Sequence, residues 1–124
     1  MIILSSLSYP LEDGVVLRRN EKGEPETNVL WVVTSHSPCG YEWNYGGSGP
    51  ADLALNIAEH ALNALHYKGN RQKCFKGDCF DLAWAMHQEL KWKFIASAPR
   101  EGTIIPWQDI LDFAWKYIKE KGEK

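Results

Sequence analysis

The stretch Gly46-Gly-Ser-Gly-Pro-Ala-Asp-Leu-Ala-Leu-Asn-Ile-Ala-Glu-His-Ala-Leu-Asn-Ala-Leu65 decides how the chain is read. Pro50 suits the first position of a helix, where a missing N–H costs nothing. Gly49 then stands at the N-cap, and Asp52 in the first turn favours the helix dipole. Ala51, Ala54, Leu55, Ala58, Ala61, Leu62 and Leu65 recur at helical spacing and form one apolar face. Asp52, Asn56, Glu59, Asn63 and His66 form the polar stripe of this amphipathic helix. Lys68-Gly-Asn70 is expected to end it, with Gly69 as the breaker.

Everything before this helix reads as β. Residues 2–8 are a short apolar and hydroxyl-rich run stopped by Pro10. Val15-Val-Leu-Arg-Arg19 follows a turn at Asp13-Gly14. The loop Asn20-Glu-Lys-Gly-Glu-Pro25 is too polar to pack. Val29-Leu-Trp-Val-Val-Thr34 is the strongest strand, β-branched or aromatic but for one Leu and so suited to a pleated surface. Two strands around a polar loop predict an antiparallel hairpin, and a third from 2–8 brings it to a stable sheet. Tyr41-Glu-Trp43 alternates and is expected to extend that sheet.

Everything after it reads as helix. A second helix is expected from Asp78 as its cap, with Cys79, Ala83, Met86, Leu90 and Phe94 on one face, ending before Pro99. Residues 92–96 read as helix or as a strand, since short apolar runs are ambiguous. Pro106 opens a third helix with Trp107, Ile110, Leu111, Ala114 and Ile118 inward. The fold class is therefore α+β: a small N-terminal antiparallel sheet of three or four strands, packed by about three C-terminal helices. With 124 residues and no linker, residues 1–124 form a single domain.

Composition excludes several classes of function. The apolar share of 44% and charged share of 24% are those of a globular protein. A net charge of −2 gives no general attraction to nucleic acid or anionic membrane. No apolar run approaches membrane-spanning length, and the apolar start is too short for a signal peptide. The expected location is the cytoplasm. Cys39, Cys74 and Cys79 are an odd set, read as free thiols in a reducing compartment, with a Cys74–Cys79 bridge as the alternative.

The segment Glu42-Trp-Asn-Tyr-Gly-Gly-Ser-Gly-Pro-Ala-Asp-Leu-Ala-Leu55 resembles an uncharacterised bacterial and phage domain family. That family's signature runs E-W-G-Y-G-G-S-G-P-A-x-L-A-L. Asn44 replaces a glycine of the pattern, and both residue types tolerate positive φ. The similarity is expected to reach Phe94-Ile-Ala96, Pro99-Arg100 and the last helix, about two-thirds of the chain. The resemblance implies a shared fold and carries no activity, substrate or catalytic residue.

Within this motif, Tyr41, Glu42, Trp43, Tyr45, Gly46, Gly47, Ser48 and Gly49 are the candidate ligand-binding residues. Glycines ahead of a helix point backbone N–H groups and a positive dipole end at one spot, which suits an anion. Tyr41, Trp43 and Tyr45 would stack a base or ring. No lysine follows as in a P-loop, and Asp52 would repel phosphate. The competing reading is a tight structural corner, which is the commoner use of glycine turns.

Glu42, with Tyr41, Tyr45 and His36, suggests acid–base chemistry if burial raises its pKa. Otherwise Glu42 faces water or accepts backbone N–H bonds. No ligand spacing among His36, His60, His66, His87 and the cysteines calls for metal, and no cofactor is implied. Cys39 has no neighbour in sequence that would activate it as a nucleophile. Lys68, Arg71, Lys73 and Lys76 complement a helix C-terminus or contact nucleic acid or an acidic partner. Trp84, Trp92, Trp107 and Trp115 fall at helix-core positions.

The function expected first is a small soluble binding module for an anionic or nucleotide-like ligand at the glycine loop. The alternatives are a protein-interaction or accessory protein of a phage or mobile element, and an enzyme using Glu42.

Overall fold

The computed structural model describes residues 7–36 and 40–122. The expected strand over 2–8 falls mostly outside them. The fold is α+β. Strand β1, Val15–Arg19, is central to a three-stranded antiparallel sheet of order β2-β1-β5. It pairs with β2, Pro25–Thr27, through Leu17↔Thr27, and with β5, Gly102–Ile105, through Val15↔Ile105 and Arg18↔Gly102. Pro25 has no N–H to give a ladder, and β2 is an edge strand where none is needed. The third described strand thus comes from residues 102–105, just ahead of Pro106.

Residues 29–33 form no strand, and the reason lies one residue earlier. The Asn28 side chain accepts the Val16 N–H at 2.9 Å and donates to the carbonyls of Gly14 and Tyr9. It occupies the place of a further β2 residue and turns the chain off the sheet. The segment still alternates, with Val29, Trp31 and Val33 buried and Leu30 and Val32 exposed. Its hydrogen-bond partner is a helix.

That helix is α1, Ser48–Ala64, which begins two residues ahead of expectation with Gly47 as N-cap. Its polar stripe does not face water along its length: Asp52, Asn56 and Glu59 are at most 2% exposed. The Asn56 amide accepts Val32 and Val33 N–H at 2.7 and 3.0 Å and donates to the Val33 carbonyl at 2.8 Å. Asp52 accepts the N–H groups of Ser35 and His36. Glu59 accepts the Phe80 N–H at 2.6 Å, and His60 donates to the Leu30 carbonyl. Burial of these groups is tolerable because each is hydrogen-bonded. One helix face therefore does for the 29–36 segment what a neighbouring strand would do.

α1 ends at Ala64, and His66, at φ 60, takes the left-handed position expected of Gly69. Tyr67 N–H reaches the Leu62 carbonyl and His66 N–H the Asn63 carbonyl, the two bonds that close a helix C-terminus. A hairpin follows that the sequence reading missed: β3, Arg71–Lys73, against β4, Asp78–Phe80. Asp78 belongs to this strand and caps nothing. Helix α2, Asp81–Leu90, starts after it. Residues 91–95 continue α2 as a wider turn, with Ala96 N–H bonded to the Lys91 carbonyl five residues back, so 92–96 are helical. Helix α3 runs Trp107–Tyr117 behind Pro106, as its spacing predicts.

The core lies between the three helices and one sheet face, built from Leu17, Trp43, Leu55, Met86, Leu90 and Ile110 among others. Trp107 is buried there, but Trp92 and Trp115 are 61% and 49% exposed rather than core. No helix among the described residues is long and apolar enough to cross a membrane.

Candidate functional site

The glycine loop is strapped down at three points before it enters α1. Glu42 binds the Arg19 guanidinium with both oxygens, at 2.8 and 3.2 Å. Arg19 also donates to the Arg100 carbonyl and lies 4.5 Å over the Trp43 ring. Burial pushes the Glu42 carboxyl up, but Arg19 outweighs it and holds the group below its ordinary range. The raised value expected for acid catalysis is therefore not found. Glu42 is an anchor, and it also accepts its neighbour's N–H from Trp43.

The second strap is Asn44, which stands where the resembled pattern has glycine. Its φ is 78, so only a residue at ease in left-handed backbone fits. Its N–H and side-chain amide bind the carbonyls of Ile95 and Ala98. The third is Lys91, whose ammonium donates to the Gly46 carbonyl at 3.0 Å.

Gly46, Gly47 and Gly49 do not take positive φ; their role is close approach. A Cβ on Gly46 would lie 2.3 Å from the Trp92 ring, and one on Gly47 2.3 Å from the Tyr45 ring. Gly49 is pressed against the Gly40 carbonyl and the Glu42 backbone. The loop is thus a tight corner, and its glycines also seat two aromatic rings.

The candidate site residues divide by exposure. Tyr41 is buried and stacked on Trp31 at 4.3 Å, and Trp43 is 1% exposed. Neither can stack a ligand. Tyr45, 53% exposed, is open to solvent, as is Trp92, expected in the core, whose ring packs against Gly46. Ser48 lies exposed at the start of α1, where no side chain caps the helix. Asp52 is turned toward Ser35 and His36, so its charge is engaged away from the loop. A lysine does serve the loop, but it arrives from α2's continuation, 45 residues on. Lys91 is 5% exposed, lies 4.6 Å from the Trp92 ring centre, and has no carboxylate partner among the described residues.

Other polar groups serve other ends. His36 Nε2 lies 3.0 Å from His87 Nε2, and His87 Nδ1 lies 2.6 Å from the Trp84 carbonyl. Nδ1–H must donate to that carbonyl, which leaves Nε2 to accept. Burial holds the His87 imidazole below its ordinary value. The Tyr41 hydroxyl is buried with no hydrogen-bond partner among the described residues, and burial with the Asp52 charge pushes its pKa far up. No group of three or more metal-ligating side chains occurs among the described residues. In the basic cluster, Arg71 is committed to Glu59 and Asp78, which leaves Lys68, Lys73 and Lys76 exposed. A cleft of about 460 Å³ between α2 and α3 has Glu89, Lys93, Asp112, Lys116 and Tyr117 among its walls, with charges of both signs.

No curated protein and no solved structure matches the chain. Residues 10–81 match the model of a family described as a family of unknown function, DUF6166. The match runs from the turn before β1 to the first residue of α2, and so includes the motif Glu42–Leu55 but not the expected reach to 94–100. It covers more than half of the chain, which therefore belongs to the DUF6166 family of unknown function.

Proposed function

We propose that this chain is a small binding module whose ligand is a flat ring carrying a weakly anionic group. The ring stacks on Tyr45 and Trp92, and the anionic group meets Lys91 and the free N–H end of α1. The observation that carries this reading is Lys91. A lysine ammonium has three donors, and here one goes to a carbonyl and another side faces a ring. A buried cation without an acidic partner is costly, and a bound anion relieves that cost. The neighbouring helix end adds a partial positive charge of its own. Two exposed aromatics beside it supply stacking worth about 1–3 kcal/mol per base.

The test is thermal-shift and tryptophan-fluorescence titration with nucleoside monophosphates, cyclic dinucleotides, the free nucleoside and inorganic phosphate. Nucleotides are expected to stabilise the protein more than either half alone. Trp92→Ala and Lys91→Met should each weaken binding roughly tenfold, the loss of about 1.4 kcal/mol. No shift with any nucleotide at millimolar concentration sinks the reading.

A second reading, a protein-contact module of the accessory kind, is favoured by apolar exposure at one edge. The Thr34–Lys76 bridge sets the β3–β4 turn beside residues 32–34, where Phe75 is 70% exposed and Val32 45%. A protein that stays monomeric and captures no partner, with Phe75→Ser indistinguishable from wild type, would count against it.

A further inference from the structure

Cys74 and Cys79 come together because of the register of the β3–β4 hairpin. Cys79 pairs with Gln72, two residues before Cys74, so both cysteines project from the same face. The Cys74 N–H closes the turn on the Gly77 carbonyl. The two sulfurs lie 3.3 Å apart, and both thiols are free. Cys79 is fully buried, whereas Cys74 is partly exposed and flanked by the exposed Lys73 and, two residues on, Lys76. One thiol is open to a reagent from solvent, and the other is shielded behind it.

We infer that Cys74 and Cys79 form a redox-active dithiol, with Cys74 as the attacking thiol and Cys79 as the resolving one. The co-reactant is a low-molecular-weight disulfide such as oxidised glutathione. The Cys74 thiolate attacks one sulfur of that disulfide. The donor's S–S bond breaks, a mixed disulfide forms at Cys74, and one glutathione thiolate leaves. The Cys79 thiolate then attacks the Cys74 sulfur and expels the second glutathione thiolate. The two cysteine thiols are oxidised to one bridge, the donor disulfide is reduced to two thiols, and the two protons end on the departing glutathiones.

The arrangement assigns the roles. Burial and the neighbouring Cys74 keep the Cys79 thiol protonated, so it is a poor first attacker. At 3.3 Å it needs only a short movement to reach the bonded distance of about 2.05 Å. The hairpin also carries Arg71 and Asp78, and the Phe80 N–H that Glu59 holds. A bridge there closes the turn end of the hairpin, whose other end, at Arg71 and Phe80, Glu59 ties to α1. The pair shares no residue with the Tyr45–Trp92 surface, so it stands whatever that surface binds.

The test equilibrates the full-length protein in glutathione buffers from fully reduced to fully oxidised, quenches with acid, alkylates, and maps peptides by mass spectrometry. Expected in oxidised buffer is one cross-linked species joining Cys74 to Cys79, lighter by two hydrogens and carrying no glutathione. In Cys79→Ser, glutathione should be retained at Cys74, because nothing resolves it. In Cys74→Ser, Cys79 should react much more slowly. Wild-type protein that alkylates fully at both positions in oxidised buffer overturns the inference. So does glutathione retained at Cys74 while Cys79 stays alkylatable.

Discussion

Replacing Asn56 by Ala separates a helix whose polar face is solvated from one whose polar face holds another segment. In the first case Asn56→Ala is neutral or slightly stabilising, since Ala is the better helix former by about 0.5 kcal/mol. In the structure the side chain is fully buried and serves three backbone groups of residues 32 and 33. Alanine strands the Val33 N–H and C=O in the interior and leaves the Val32 N–H partly open to water. Each buried group without a partner costs about 1–3 kcal/mol. Two such groups, less the helix-propensity gain, give an expected loss of about 3 kcal/mol. In urea unfolding at a slope of about 1.5 kcal/mol/M, the midpoint falls by about 2 M. Asn63 lies in the same sequence stripe but is exposed, so Asn63→Ala should stay within about 0.5 kcal/mol of wild type. A loss below about 0.5 kcal/mol for Asn56→Ala would refute the reasoning, because water or relaxation would then be satisfying the 32–33 backbone.

Gly102 has φ +114, and a Cβ there would lie 2.0 Å from the Leu17 carbonyl in β1, so Gly102→Ala should cost about 3 kcal/mol or more. The atoms nearest a Cβ in Gly46→Ala belong to the exposed Trp92 ring, which can swing aside, so it should cost under about 1 kcal/mol while shifting tryptophan emission; equal losses for the two would contradict this. His87 is held below its ordinary pKa by burial, so between its folded value and about 6.5 the unfolded chain binds a proton that the folded chain refuses. The stability from this group is complete above about pH 6.5 and declines as pH falls through that window. Urea midpoints on either side of the window should show the decline, and it should shrink in His87→Gln; an unchanged slope in the variant would show that the imidazole is not its source.

Much of the fold follows from local patterns. The apolar stripes of α1, α2 and α3 predict three helices, and Pro106 marks the start of the last. Val15–Arg19 and the polar loop after it predict the first hairpin, although the partner strand is Pro25–Thr27. The weaker elements, β3, β4 and β5, run to three or four residues, too few for period-two alternation to be visible. At the candidate site, the glycine corner was legible, but not which aromatics around it are exposed: Tyr41 and Trp43 are buried, whereas Tyr45 and Trp92 face solvent. Trp92 follows the exposed Ala85 and Gln88 by seven and four residues, on the solvent side of α2 and its continuation, and there its ring lies against Gly46.

What the sequence alone determined is the helices and the side each turns inward: the apolar stripes of α1, α2 and α3 are largely buried in the structure. What only the tertiary structure decided is where polar groups find partners. Val29–Val33 has every local property of a strand, yet Asn28 diverts it from the sheet and Asn56 takes up its backbone. Asp52 and Glu59 look like solvated helix residues, yet they are the acceptors for backbone N–H groups remote in sequence. Burial follows from side-chain hydrophobicity, which each residue carries with it. A backbone N–H accepts any properly placed oxygen, and the placement exists only once the chain has folded.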